Sequence, residues 1–63
     1  MVTINGETKA AEGMTVLELL ASMHLMPERT AVMIGGEILP KSNYDQKLVN
    51  GDEVEIIGFV GGG

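Results

Sequence analysis

Apolar and polar residues alternate in the first and last segments of the chain, which is typical of β-strands with one buried face. These segments are residues 2–5 and residues 53–60. Asn5-Gly6 closes the first segment and favours a tight hairpin, because both residues tolerate positive φ angles. The returning strand, residues 7–11, has a weak apolar signal, so we predict it at an exposed edge of the sheet.

Residues 16–24 are predicted to form the main helix. Its apolar stripe recurs at helical spacing and consists of Val16, Leu19, Leu20 and Met23. Thr15 and Glu18 have the spacing of a capping box, in which the side chain of each residue accepts a hydrogen bond from the main-chain amide of the other. Pro27 limits the helix, because a residue that precedes proline avoids helical angles.

The second half of the chain predicts three more strands. Residues 31–34 and 37–39 are apolar runs separated by Gly35-Gly36, which marks a second tight hairpin. The polar residues 41–47 predict a loop or a single helical turn. The alternating segment near the end of the chain is the last strand.

The order of these elements requires one helix to cover one face of one sheet. Leu48 and Val49 are expected to complete the core between the helix and the sheet. The first and last strands are the most strand-like, so we place them side by side at the centre of the sheet. We therefore predict an α+β fold of the β-grasp type, with a mixed five-stranded sheet, one main helix packed on one face and a flexible glycine tail.

Length, cysteine content and charge exclude several classes of function. The 63 residues allow one domain, which we divide into a β-grasp domain at residues 1–60 and a tail at residues 61–63. The chain has no cysteine, which excludes disulfides, thiolate metal sites and cysteine nucleophiles. Nine acidic residues against four basic ones give a net charge of −5. This charge disfavours nucleic acid and anionic membranes and favours a basic protein partner.

The chain is also expected to be cytoplasmic and monomeric when free. No apolar run approaches the ~20 residues of a membrane span. The first residues lack the charged and apolar regions of a signal peptide.

The sequence gives little support for a catalytic residue or a metal ligand. His24, near the predicted helix end, is better explained by the helix dipole than as a base or ligand, because no ligand or nucleophile spacing surrounds it. Glu53 and Glu55 lie on the outer face of a strand, where no apolar pocket would raise one pKa for acid–base work. Met14 and Met23 are expected to fill core gaps rather than bind a soft metal. We predict no catalytic residue, no metal site and no bound cofactor.

The last strand instead predicts a surface for docking another protein. Its odd-numbered residues face away from the helix, because side chains alternate along a strand. The predicted docking residues are three apolar and two acidic ones: Met33, Ile57, Phe59, Glu53 and Glu55. An apolar patch rimmed by acids is typical of protein contacts, although single exposed apolar residues are common and a β-bulge near Gly58 would turn Phe59 inward.

Three glycines, Gly61, Gly62 and Gly63, follow the last strand. Each loses much backbone entropy on ordering, so they are a poor way to continue a fold. They are suited to entering a narrow channel with no side chain in the way. They place the carboxylate of Gly63 at the tip of a tether, unless the segment is simply a disordered end.

The ordered set of motifs resembles the ThiS family of sulfur carriers, within the ubiquitin-like β-grasp superfamily, over essentially the whole chain. The motifs are VTINGE at 2–7, TVLELL at 15–20, AVMI at 31–34, EILP at 37–40, Leu48, NGDEVEII at 50–57 and GGG at 61–63. Gly35-Gly36 departs from the family, which often has asparagine before the second position. Glycine serves the same positive-φ turn, so the departure does not affect the predicted fold.

This resemblance implies a carrier rather than an enzyme. A ThiF-type partner would adenylate the carboxylate of Gly63 with ATP and Mg²⁺, because a carboxylate is a poor acyl donor until its oxygen becomes a good leaving group. A sulfur donor enzyme would then convert the acyl-adenylate into a thiocarboxylate. A ThiG-type thiazole synthase would take the sulfur for the thiazole of thiamin. Gly61 and Gly62 would allow threading into the partner.

Other functions stay open from the residues alone. The small subunit of molybdopterin synthase is a related sulfur carrier with the same tail, although its family tends to be longer. A protein modifier joined through Gly63 to lysines would need the same activation. A non-covalent β-grasp interaction module would not use its tail, so removal of the glycines distinguishes it from the carriers.

Overall fold

The five predicted strands form one mixed sheet in the computed structural model, which describes residues 1–58. The strands are β1 (Val2–Ile4), β2 (Glu7–Lys9), β3 (Thr30–Ile34), β4 (Glu37–Ile38) and β5 (Glu53–Gly58). Their order across the sheet is β2-β1-β5-β3-β4, and β1 and β5 are parallel while the other neighbours are antiparallel. The predicted sheet, with its first and last strands adjacent at the centre, is therefore confirmed.

The single α-helix of residues 1–58, α1 (Val16–Ser22), begins at the predicted capping box. The amide of Glu18 donates to Oγ1 of Thr15 at 3.0 Å, and the amide of Thr15 donates to Oε1 of Glu18 at 2.8 Å. These two bonds satisfy main-chain donors that have no partner within the first turn.

The end of α1 differs from the prediction, because the helix stops at Ser22 rather than at residue 24. His24 has a φ angle of 60°, in the left-handed region. Its amide donates to the carbonyl of Ala21, and the amide of Leu25 donates to the carbonyl of Leu20 at 2.9 Å. This pair of bonds is a Schellman motif, which ends the helix before the proline is reached. His24 thus terminates the helix through its backbone conformation.

The hydrophobic core lies between α1 and one face of the sheet. Its buried residues are Val2, Ile4, Ala11, Val16, Leu19, Leu20, Val32, Tyr44, Leu48, Val54 and Ile56. Met14 and Met23 are partly buried against this core, which confirms them as core-filling side chains. Val49 was expected in the core but is 59% exposed. It starts a surface turn that is closed by Asp52, whose Oδ2 accepts from the amide of Val49 at 2.9 Å.

The polar segment before this turn forms the predicted single helical turn, a 3₁₀ turn at Lys41–Asn43. It positions Tyr44, whose carbonyl accepts from the amide of Leu17 at 3.0 Å. The buried hydroxyl of Tyr44 lies 3.4 Å from the carbonyl oxygen of Thr30. The segment therefore links the first turn of α1 to the start of β3.

Several strand boundaries differ from the predicted ones. β2 ends at Lys9 rather than at residue 11, β3 begins one residue early at Thr30, and β4 keeps only two residues. Residues 59–63 lie outside the described part of the chain, so the predicted end of β5 at Val60 and the division between domain and tail stay predictions. Within residues 1–58, no helix is long and apolar enough to cross a membrane.

Candidate functional site

The face of the sheet opposite α1, here called the open face, carries the predicted docking residues of β5. Val54 and Ile56 are buried on the helix side, whereas Ile57 is 49% exposed. Glu53 and Glu55 are also exposed. The alternation predicted for this strand is therefore correct over the described residues, while Phe59 lies outside them.

The register of the sheet changes which residues are neighbours in the predicted patch. Met33 pairs with Glu55, and Ile57 pairs with Ala31. Met33 and Ile57 are consequently diagonal rather than direct neighbours, at a separation that long side chains still bridge. Met33 is half-buried rather than fully exposed. Its direct neighbour on β5 is acidic, so the apolar and acidic parts of the face adjoin each other.

Ile38 belongs to this surface but was missed in the sequence. It pairs with Met33 on the side away from β5, and 75% of it is exposed. This pairing could have been predicted from the Gly35-Gly36 turn. A two-residue hairpin that pairs residue 34 with residue 37 must also pair residue 33 with residue 38. We define the apolar patch as Ala31, Met33, Ile38 and Ile57.

The acidic end of the open face lies where β5 begins. A cleft of about 420 Å³ lies there, lined by Thr3, Gly6, Gly35, Gly36, Glu53, Val54 and Glu55. Gly6 and Gly36 have φ angles of 86° and 83°, in turns that suit glycine. A Cβ atom at either position would meet nothing within 4 Å, so the cleft is open beside the two carboxylates.

The opposite end of β5 leads toward the predicted sulfur-carrying residue. Gly58, the last described residue, pairs with Thr30 of β3. A Cβ atom on Gly58 would lie 3.6 Å from Cδ2 of Leu25, which follows α1. We call Gly58, Thr30 and Leu25 the tail root. Gly61, Gly62 and Gly63 lie outside the described residues, so the structure does not position the predicted carboxylate.

Groups for catalysis or metal binding are not assembled in this part of the molecule. Within residues 1–58, no three side chains of the His, Cys, Asp or Glu type come together to hold a metal ion. The pKa of Glu12 is lowered, first by a main-chain hydrogen bond and then by the α-ammonium group of Met1, 3.0 Å from Oε2. Met1 precedes β1, which runs parallel to β5, so this pair lies at the end of the sheet away from the tail root.

Comparison with protein families and curated proteins gives matches over nearly the whole of this chain. The model of the ThiS family matches residues 1–63. The sulfur carrier protein ThiS of Thermus thermophilus is 36% identical over 64 residues, which cover 100% of both chains. The thiazole synthase of Paramagnetospirillum magneticum is 44% identical over 64 residues, but this chain spans only 20% of that protein's length.

Solved structures share the fold over nearly the whole chain. The crystal structure of the thiamine biosynthesis protein ThiS from Geobacter metallireducens superposes with a TM-score of 0.73 at 34% identity, covering 98% of this chain and 97% of that one. The solution structure of a thiamine biosynthesis protein from the same organism gives a TM-score of 0.74 at 34% identity, covering 98% and 86%.

Proposed function

The chain belongs to the ThiS family, and we propose from this premise that it carries sulfur on the carboxylate of Gly63 for the thiazole of thiamin. The protein is a small sulfur carrier of thiamin biosynthesis. The observation that carries this conclusion is the family match over all 63 residues, which includes the three terminal glycines. The similar solved structures are of thiamine biosynthesis proteins, which favours thiamin over molybdopterin as the product of the pathway.

The proposed chemistry takes place on the partner enzymes. A carboxylate oxygen of Gly63 attacks the α-phosphorus of ATP, the bond to pyrophosphate breaks, and an acyl-adenylate forms. Hydrosulfide supplied by a donor enzyme then attacks the acyl carbon, the bond from that carbon to AMP breaks, and the products are a thiocarboxylate and AMP. ATP is a substrate of the ThiF-type partner, and Mg²⁺ is its cofactor. Gly61 and Gly62 have no side chains, so they allow the tail to thread into the partner.

A thiazole synthase of the ThiG type is the proposed acceptor of the sulfur. Support comes from the thiazole synthase of P. magneticum, in which a segment 44% identical to this chain forms part of the longer protein. A carrier and its acceptor gain effective concentration when one polypeptide holds both.

The open face is the proposed docking surface for these partners. Ile57 and Ile38 are exposed apolar side chains flanking Met33, and they form the anchors of the apolar patch. Glu53 and Glu55 border the cleft at the start of β5, where a basic side chain of the partner would find two carboxylates and open space. Such an acid-rimmed apolar surface fits a partner with a basic edge around an apolar centre.

Conversion of the carboxylate to a thiocarboxylate tests the proposal directly. The chain is incubated with the ThiF-type enzyme of the same organism, ATP, Mg²⁺ and a sulfur source, and its intact mass is measured. We expect a gain equal to the replacement of one oxygen by sulfur. A variant lacking residues 61–63 serves as the control and should not change.

Other outcomes identify the alternatives. An unchanged mass, while the T. thermophilus carrier converts in parallel, would contradict the proposal. Covalent adducts on lysines without a thiocarboxylate would indicate a protein modifier. Full activity of the truncated variant in partner binding, with no adenylation of either form, would indicate a non-covalent interaction module.

A further inference from the structure

Two of the four basic residues lie together at one 3₁₀ turn, Pro27–Arg29. Arg29 is the last residue of the turn, and Nζ of Lys41 donates to the carbonyl of Glu28 at 3.2 Å. Both cations are exposed, and within residues 1–58 neither forms a salt bridge with a carboxylate. We call Arg29 and Lys41 the basic cluster. Glu28 is exposed on the same turn, so the turn and Lys41 together carry two positive charges and one negative charge. Both cations remain available to a binding partner.

The basic cluster lies beside the tail root. Arg29 directly precedes Thr30, which pairs with Gly58, and adjacent strands lie about 4.8 Å apart. Glu53 lies five residues before Gly58 on the same strand, a separation of about 16 Å at the rise of an extended chain. The net charge therefore changes sign between the two ends of β5: two carboxylates lie at its start, and two cations with one carboxylate, that of Glu28, lie beside its end, although the whole chain has a net charge of −5.

This reversal of charge favours one orientation of a docked partner along β5. At physiological salt, exposed charges are screened beyond about 8 Å, so a partner must contact the acidic end and the basic cluster with separate groups. Docking in the reversed orientation would bring like charges together at both ends and would be disfavoured. The apolar patch has no such direction of its own. A carrier must deliver its tail into the partner, so orientation along β5 determines whether docking is productive.

We propose that Arg29 and Lys41 bind an acidic surface on the adenylating partner beside the entrance that receives the tail, and that with Glu53 and Glu55 they orient the carrier along β5. This inference rests on the proposed function, because it assumes an enzyme that activates Gly63. The occupant is defined by its chemistry: it presents carboxylates beside the end of β5 and basic groups to Glu53 and Glu55 near the start of β5.

Charge reversal at the basic cluster tests this orientation. Arg29→Glu, Lys41→Glu and the double variant are compared with wild type in ATP-dependent adenylation, measured against carrier concentration at low and high salt. We expect the double variant to raise KM about tenfold with little change in kcat, because opposed charges act on encounter and binding. The effect should shrink as salt screens the contact.

Lys9→Glu is the control for each single variant, because Lys9 is exposed on β2, at the edge of the sheet, and the substitution makes the same change in net charge. Lys9→Glu combined with Lys47→Glu, which is also exposed, is the control for the double variant. Both controls should leave KM within about twofold of wild type. Arg29→Gln provides a milder variant, because no side-chain hydrogen bond of Arg29 is formed within residues 1–58 that folding would lose. Circular dichroism verifies that each variant is folded.

The outcomes distinguish this inference from the function on which it rests. If wild type is not adenylated, the proposed function fails. If wild type is adenylated and the variants of Arg29 and Lys41 match the charge-matched variants of Lys9 and Lys47, the orientation proposal is overturned. It is also overturned if the double variant becomes a better substrate, since that result means that the two cations bind the carrier's own Gly63 carboxylate and hold it back.

Discussion

The side-chain amide of Asn5 pairs with both main-chain groups of Ile56. Its Oδ1 accepts from the amide of Ile56 at 2.8 Å, and its Nδ2 donates to the carbonyl of Ile56 at 3.3 Å. The last residue of β1 is Ile4, so the side chain of Asn5 occupies the place where the next β1 residue would pair. With a φ angle of 50°, the same residue also opens the first hairpin turn. One asparagine thus turns the chain and extends the central strand pair toward the tail root.

Replacement of Asn5 tests this double role. Asn5→Gly keeps the positive φ angle but removes both bonds to Ile56, so we expect the free energy of unfolding to fall by about 1–2 kcal/mol. Asn5→Ala should cost about 1 kcal/mol more, because alanine is strained in the left-handed region. Urea denaturation measures both values, and hydrogen exchange at the amide of Ile56 reports the local opening. Unchanged stability in Asn5→Gly would show that the two side-chain bonds contribute nothing.

The residues around this pairing show what local sequence can predict. The turn at Asn5-Gly6 follows from the dipeptide, because its φ requirement is local. The bonds between Asn5 and Ile56 depend on the register of two strands that are 51 residues apart in sequence, and no local pattern specifies that register. The alternation along β5 identified Ile57 as exposed for the same local reason that the dipeptide identified the turn.

The missed features of the site have equally specific causes. Ile38 was overlooked because the two-residue strand that contains it is too short to show alternation. The basic cluster combines Arg29 and Lys41, which the tertiary fold brings to one turn. The helix end was predicted too late because His24 stands where glycine normally gives the signal for a left-handed cap.

His24 is expected to be a strained helix cap rather than a functional histidine. His24→Gly should raise the free energy of unfolding by about 0.5 kcal/mol, because relief of left-handed strain slightly exceeds the entropy that glycine loses on folding. His24→Val should lower it, since a branched side chain is less compatible with a φ angle of 60°. Chemical denaturation measures both changes. Adenylation of the glycine variant should equal that of wild type, and a loss of adenylation would reveal a functional role for the imidazole.

Bulk in the glycine tail should affect activation without affecting stability. Gly62→Val should leave the unfolding transition unchanged, because the core described by the structure is built from residues 2–56. It should block adenylation by adding a branched side chain where the partner's channel admits none. Gly62→Ala is the graded control and should retain intermediate activity. Normal adenylation kinetics in the valine variant would remove the threading argument.

The acidic end of the open face should control the rate of association with the partner. The double variant Glu53→Lys, Glu55→Lys should slow association about tenfold at low salt and reduce its salt dependence, because steering of a basic surface is lost. Stopped-flow fluorescence at two ionic strengths measures both effects. Glu7→Lys combined with Glu37→Lys makes the same charge change on the exposed edge strands β2 and β4. Equal association rates for the two double variants would mean that only net charge matters.

Ile57 should act as an anchor for the partner rather than as part of the core. Ile57→Asp should change the free energy of unfolding by no more than about 1 kcal/mol, because the side chain is half exposed. It should weaken partner binding by about 1–3 kcal/mol, since docking would bury an unpaired charge. Leu17→Asp is the matched control, because Leu17 is similarly exposed but lies on α1. Isothermal titration with the adenylating enzyme measures the affinities, and equal losses at Leu17 and Ile57 would contradict a specific role for the open face.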